Sequence, residues 1–383
     1  MSSLRVFPNG TAKVAIFLER TNFFHNFVKN NRSVVIFRSK APLRLGLAGG
    51  GSDVPPFCDM FGGLVLNATI TLSAYCTIEP SESGRVVINA IDCSLKESWP
   101  VSAALPEECG ANLVKGVWNS IFSSPEAPAL PKGVKITTWN EAPAGSGLGT
   151  SSTMVVCILK CFSEWLGIEM SPYELAERAY RIERIDLGLA GGKQDQWAAA
   201  FGGFNFMEFF PDGGVRVNPV NIRPRVVEAL ESSLLLYYTG RSRSSAEIIS
   251  RQQKNTASGN ETAIAAMQRI KQSSMDMKKA LEGGDLKAFS EILGRAWEDK
   301  KKMAEGITNP VIQEAFDTAT AAGAVSGKVS GAGGGGFLML SVPPEKKQAL
   351  KKAMDALPGS VIPFGFTREG ACSWREEGGI VIG

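Results

Sequence analysis

A single histidine, His25, occurs in the 383 residues, and it lies in an N-terminal stretch without clean periodicity. Ser-His-Asp and Cys-His catalysis and most zinc sites therefore have almost nothing to build on, and any proton acceptor must be a carboxylate. Net charge is also scarce: 41 Lys and Arg against 38 Asp and Glu leave +3, with the two signs interspersed. Binding to a nucleic acid backbone or an anionic membrane needs clustered cations, so neither partner is predicted. The seven cysteines, at 58, 76, 93, 109, 157, 161 and 372, contain no Cys-x-x-Cys pair and are odd in number. They fit neither a disulfide framework nor a zinc knuckle and read as reduced, mostly buried thiols. Cys157 and Cys161 stand four apart in an apolar helical run, where packing is the simpler role. No apolar run approaches the roughly 18 residues of a membrane span. Val14 to Leu18 is broken at once by Glu19 and Arg20, too early for a secretory core. Together these absences predict a cytoplasmic protein; whether it forms a homodimer is left open.

What the chain does have is 44% hydrophobic residues, 41 glycines and room for about two domains. Residues 1–33 end in the polar run Lys29 to Ser33 and read as a leader outside the fold. A first domain is predicted over 34–205 and a second over 206–383. The first begins strand-rich, with β-like runs at 34–37, 64–70, 74–78, 85–90 and 134–139. After Gly149 the period becomes helical, and a second helix is predicted over Pro172 to Ile185, capped by Ser171 with Glu174 three residues on. The later chain predicts strands at 234–238 and near 335–342, and helices near 261–282, 285–304, 309–322 and 346–357. Strands and helices mix without strict alternation, which points to an α+β, two-domain enzyme.

Three glycine-rich segments carry the chemistry. Pro143, Ala144, Gly145, Ser146, Gly147, Leu148, Gly149, Thr150, Ser151 and Ser152 leave a strand and enter a helix. Glycines let backbone N–H groups turn toward a ligand and the helix N-terminus adds partial positive charge, so the segment suits a phosphate. A glycine turn capped by hydroxyls is the plainer alternative. The segment lacks the Gly-Lys-Ser/Thr ending of a Walker A loop and the Gly-x-Gly-x-x-Gly spacing of a dinucleotide site. The hydroxyls of Thr150, Ser151 and Ser152 stand where magnesium bridging two phosphates takes an oxygen ligand, with Glu174, Glu177 or Glu183 as the carboxylate.

Asp195 lies between Gly191-Gly192 and an apolar run, with Lys193 and Arg44 as candidate counter-charges. It is placed either to receive or orient a proton, or to cap a helix. Val329 to Phe337 has a glycine density beyond the needs of a turn and suggests a second wall against the phosphates. In the early loop Gly49 to Asp53, Asp53 either accepts hydrogen bonds from adjacent sugar hydroxyls or initiates a turn.

In this order, Ala41–Asp53, Pro143–Ser152 and Lys328–Phe337 resemble the three motifs of the GHMP kinase superfamily, over essentially all of the chain from residue 36. Ala48–Asp53, Gly191–Gln196, Tyr238–Arg243 and Ser330–Phe337 are most similar to the bacterial D-glycero-D-manno-heptose 7-phosphate kinases, with the sugar-kinase half of fucokinases next. The resemblance implies a ribosomal protein S5 domain 2-like N-terminal domain and a ferredoxin-like C-terminal domain. It implies ATP phosphates on Gly145–Ser152, magnesium on Glu183 with Ser151 or Ser152, and Asp195 as the catalytic aspartate beside Arg44. Sugar contacts fall on Gly50, Gly51 and Asp53, and Gly331, Gly333 and Gly334 join the substrate wall. The implied reaction passes the γ-phosphate of ATP to the anomeric hydroxyl of a heptose 7-phosphate, whose own phosphate would meet Arg241, Arg243 and Lys193. An unphosphorylated sugar such as fucose or galactose is the alternative acceptor, and a non-catalytic sensor the alternative of another class.

Overall fold

The computed structural model describes residues 35–240 and 245–382, so the expected leader and the Arg241 and Arg243 pair lie outside the described residues. Thirteen strands are described: β1 (Ile36–Ala48), β2 (Gly63–Pro80), β3 (Arg85–Ala90), β4 (Leu95–Pro100), β5 (Val134–Asn140), β6 (Phe204–Phe209), β7 (Val215–Pro219), β8 (Leu234–Tyr238), β9 (Ser326–Val329), β10 (Phe337–Ser341), β11 (Ser360–Ile362), β12 (Cys372–Glu377) and β13 (Ile380–Ile382). One sheet runs β13-β12-β1-β2-β5-β3-β4 with β6 and β7 attached to β2, and a second runs β11-β8-β10-β9. Every ladder is antiparallel except β3 with β5. The fold is α+β, as the unsegregated pattern of elements predicts.

The two apolar runs at 64–70 and 74–78 form one 18-residue strand instead of two. The polar break between them is where β2 changes neighbours, from β6 over Gly63–Ala68 to β5 over Ala74–Pro80. On its other side β1 shifts register between Pro42 and Arg44. Proline has no N–H for a ladder, so the bulge falls beside it.

The predicted boundary at 205/206 cuts through β6, whose six residues all pair with β2. Residues 206–219 thus continue the first sheet, and β12 returns to its edge on β1. The second sheet shares an apolar core with the helices Leu286–Lys300, Pro310–Ala321 and Lys347–Met354, while the helix Glu261–Gly283 packs against β1, β2 and Leu286–Lys300. The chain's crossing back and forth has a physical cause: β12 and β6 complete hydrogen-bonding edges that local patterning does not reveal.

The helix Thr150–Leu166 is buried along nearly its whole length against β1 and β2. Its two cysteines pack there as thiols, Cys157 Sγ 3.3 Å from the Ala74 carbonyl and Cys161 Sγ 3.7 Å from that of Cys76. Of the seven cysteines, only Cys93 and Cys372 are exposed, and all are free. Ser171 and Glu174 form the reciprocal cap expected of them. The helix they start is α-helical only to Tyr180 and then widens to a π-helix over Arg181–Asp186. Among the described residues no helix is long and apolar enough to cross a membrane.

Candidate active site

The helix Thr150–Leu166 begins after Gly149, which is left-handed at φ 77°, and no side chain caps its first turn. The N–H groups of that turn are consequently offered to whatever occupies the adjoining cleft. Gly145 and Gly147 are also at positive φ, 71° and 84°. The loop is pinned from two sides. Arg44 Nη1 and Ser330 Oγ donate to the Gly147 carbonyl at 2.6 and 2.9 Å, and Phe337 N donates to that of Ser146 at 3.0 Å. A Cβ on Gly147 would run into the Ser330 carbonyl, so the two glycine loops meet backbone to backbone.

Not every expected residue faces the cleft. Gly145, Gly147, Gly149, Thr150, Ser151 and Ser152 line it, whereas Pro143, Ser146 and Leu148 do not. Leu148 turns into the apolar core, and Ser146 is buried with its carbonyl accepting from Phe337 N. Gly331 lines the cleft, but Gly333 and Gly334 pack on Ile307, Gly334 N donating to its carbonyl at 2.8 Å. Lys193 is not a counter-charge to Asp195; it is buried, with its ammonium 5.7 Å over the Tyr180 ring.

Asp195 opens the helix Gln194–Phe201 and sits directly over Gly149: a Cβ there would stand 3.1 Å from the Asp195 carboxyl carbon. Arg44 Nε and Nη2 both engage Asp195 Oδ1, at 2.7 and 2.6 Å. Among the described residues no hydrogen bond reaches Oδ2. The guanidinium therefore fixes the carboxylate in place while leaving one oxygen for a hydroxyl.

Ser151 Oγ donates to Glu183 Oε1 at 2.8 Å, joining the start of one helix to the π-segment. Glu183 Oε2 accepts from Gln196 Nε2 at 2.7 Å, and Arg184 lies 3.3 Å from Oε1. Ser152 Oγ is already committed, accepting from Arg184 at 3.0 Å and Gln196 at 3.2 Å. One hydroxyl and one carboxylate suit magnesium, which takes few protein oxygens and completes its shell with phosphate and water. No larger cluster of His, Cys, Asp and Glu is present among the described residues.

At the other end Asp53 is buried, accepting from Gly51 N at 3.0 Å and from Gln194 N and Nε2 at 3.1 Å. Burial raises its pKa first and the charge of Asp195 second. Gly50 and Gly51 line the cleft beside it. Gly192 lacks a side chain where Asp53 Oδ2 lies, and Gly191 lacks one where the Arg184 guanidinium lies.

Several lining residues were not foreseen. Arg184 donates to the Leu189, Ala190 and Gly192 carbonyls at 3.2–3.3 Å and shapes the loop before Asp195. Lys300 and Lys328 also line the cleft, both buried. Lys300 stands in the run Lys300-Lys301-Lys302, which by pattern is a solvated helix end. Lys328 had one usable signal, its position two residues before Ser330.

A helix N-terminus wrapped in glycine, a hydroxyl–carboxylate pair and an arginine-held aspartate define an ATP-dependent phosphotransferase with an alcohol acceptor. The chain belongs to the GHMP kinase family. Residues 112–203 match the GHMP kinases N terminal domain and residues 277–359 the GHMP kinases C terminal model. It is 41% identical over 338 residues to D-glycero-alpha-D-manno-heptose 7-phosphate kinase of Campylobacter jejuni, covering 88% of this chain and 98% of the relative. A solved structure from Bacteroides thetaiotaomicron, described as a D-glycero-D-manno-heptose 1-phosphate kinase, is 51% identical with a TM-score of 0.75, over 88% of this chain and 98% of that one. A mevalonate kinase from Methanococcus jannaschii shares the fold at 19% identity and a TM-score of 0.68, over 88% of this chain and 99% of that one.

Proposed function

We propose that the protein transfers the γ-phosphoryl group of ATP to the anomeric hydroxyl of D-glycero-D-manno-heptose 7-phosphate, giving the 1,7-bisphosphate and ADP in the cytoplasm. The observation that carries this reading is the Asp195 carboxylate held by Arg44 over Gly149, with Oδ2 turned free beside the phosphate loop. The heptose phosphate kinases among its relatives support the sugar class.

The acceptor oxygen bonds to the γ-phosphorus as the bond from that phosphorus to the β,γ-bridging oxygen breaks, and the hydroxyl proton goes to Asp195 Oδ2. Arg44 holds the aspartate in position for that transfer. Backbone N–H groups of the 145–152 loop hold the nucleotide phosphates, and Asp53 with Gly50 and Gly51 orients the sugar hydroxyls. Magnesium, held by Ser151 and Glu183, would supply charge neutralisation between phosphate oxygens. Arg241 and Arg243 are candidate partners of the heptose phosphate, and Arg243→Ala should raise KM for it; unchanged affinity would remove that assignment.

The test is ADP release with ATP and magnesium against heptose 7-phosphate, mannose, fucose and galactose in parallel. Turnover confined to an unphosphorylated sugar would overturn the acceptor, and no turnover on any of them with intact nucleotide binding would favour a sensor.

A further inference from the structure

Lys300 closes the helix Leu286–Lys300 and Lys328 lies in β9, yet both side chains reach the same cleft. Each is nearly sealed from solvent, at 5% and 6% exposure. Their ammonium groups donate only to backbone carbonyls: Lys300 to Gly331, and Lys328 to Gly46 at 2.8 Å and Leu47 at 3.3 Å. Among the described residues neither makes an ion pair with a carboxylate. The nearby charges do not neutralise them. Arg44 is itself cationic and its charge bears on both lysines, while its partner Asp195 is spent on it. Asp53 acts on Lys300 more weakly than Arg44 does, and its own burial favours the protonated carboxyl.

A buried cation without a counter-ion is costly, and carbonyl dipoles recover only part of the lost hydration. A neutral amide or hydroxyl would satisfy the same carbonyls without desolvating a charge. Two such cations on one cleft wall, against the joint of Gly147 with Gly331, make a site waiting for an anion. The positions also suit a phosphate: one lysine touches the glycine loop that backs the phosphate cradle, the other the β1 segment leading to Gly50 and Asp53.

We propose that Lys300 and Lys328 form an anion subsite for a phosphate dianion at the acceptor end of the cleft. That phosphate is carried either by the sugar or by the end of the nucleotide. The sugar arm rests on the heptose 7-phosphate reading given above; the nucleotide arm does not. Either way the subsite would explain how a kinase without a phosphate-loop lysine still brings cationic side chains to the transfer region.

Calorimetric titrations of the full chain and of Lys300→Met and Lys328→Met decide it, using heptose 7-phosphate, the unphosphorylated heptose and a non-hydrolysable ATP analogue. Loss of a charge-assisted contact should weaken the phosphate-bearing ligand about 10- to 100-fold and leave the unphosphorylated heptose unchanged. A loss confined to heptose 7-phosphate assigns the subsite to the acceptor; a loss confined to the analogue assigns it to the donor phosphate. Lys300→Arg should restore part of the affinity, which a purely structural tie to Gly331 does not require. Unchanged affinity for both phosphate-bearing ligands in folded variants would overturn the proposal. If the variants do not fold, the unsubstituted protein answers instead. At pH 8, binding of inorganic phosphate or the analogue should take up protons, read as a buffer-dependent heat, and absence of uptake with both would sink it. Should the unsubstituted enzyme ignore heptose 7-phosphate altogether, the acceptor reading fails alone, and the analogue still tests the lysines.

Discussion

The carboxylate of Asp53 fills the space in which a side chain at Gly192 would stand, and the Gln194 amide that follows donates to that same carboxylate. The early loop and the segment carrying Asp195 are thus keyed together, so the acceptor-side and transfer-side carboxylates move as one unit. Gly192→Ala keeps an ordinary backbone conformation but collides with Asp53. It should lower kcat/KM for the acceptor by about 10- to 100-fold, since displacements near 1 Å in an active site have that effect. Nucleotide affinity should be nearly unchanged, and steady-state kinetics with separately varied ATP and acceptor check both.

Asp195→Asn removes the acceptor of the hydroxyl proton and the partner of Arg44 together. Turnover should fall by about 10²- to 10⁴-fold with the far-UV circular dichroism spectrum retained. Near-normal turnover would remove Asp195 from the chemistry.

Gly147→Ala demands both a left-handed alanine at φ 84° and room already taken by the Ser330 carbonyl. The phosphate loop must separate from the 330–337 loop. ATP-analogue binding should weaken at least tenfold and the melting temperature should fall by several degrees, since such strain costs about 1–3 kcal/mol.

Ser151→Ala and Glu183→Gln test the pair 2.8 Å apart at the cradle's edge. Each should raise the magnesium concentration needed for half-maximal rate, with little change in KM for the sugar. Ser152→Ala should act through fold stability instead, because its hydroxyl is taken up by Arg184 and Gln196.

Burial, with Arg44 next, lowers the Lys300 pKa from the ordinary 10.5 to about 8. Because the folded state binds this proton more weakly than the unfolded state, the cost is fully present below pH 8 and fades as pH rises toward 10.5. Lys328 is shifted in the same direction. The ligand-free protein should therefore gain stability from Lys300 between pH 8 and 10.5. Lys300→Met should stabilise the ligand-free protein at pH 7 by up to about 3 kcal/mol of relieved desolvation, raising its melting temperature, and flatten that rise. Thermal melts across pH in the absence of phosphate measure both.

The chain itself determined its local pieces. The period change after Gly149, the Ser171–Glu174 cap and the positive-φ demand of glycines at 145, 147 and 149 are short-range consequences of side-chain volume and backbone freedom. The carboxylates that could do the chemistry were legible too, because with one histidine little else could. Long-range pairing was not. β6 is drawn to β2 and β12 to β1 by open ladder edges, so a boundary expected at 205/206 falls inside a sheet. The same holds for charge. Lys193, adjacent to Asp195 but one, turned to Tyr180, while Lys300 and Lys328, more than a hundred residues away, joined Arg44 and Arg184 on the cleft. Sequence spacing sets which side of its own helix or strand a side chain leaves. Only the packing of one sheet and its helices against the other decides which charges lose their water together, and that loss is what makes them a site.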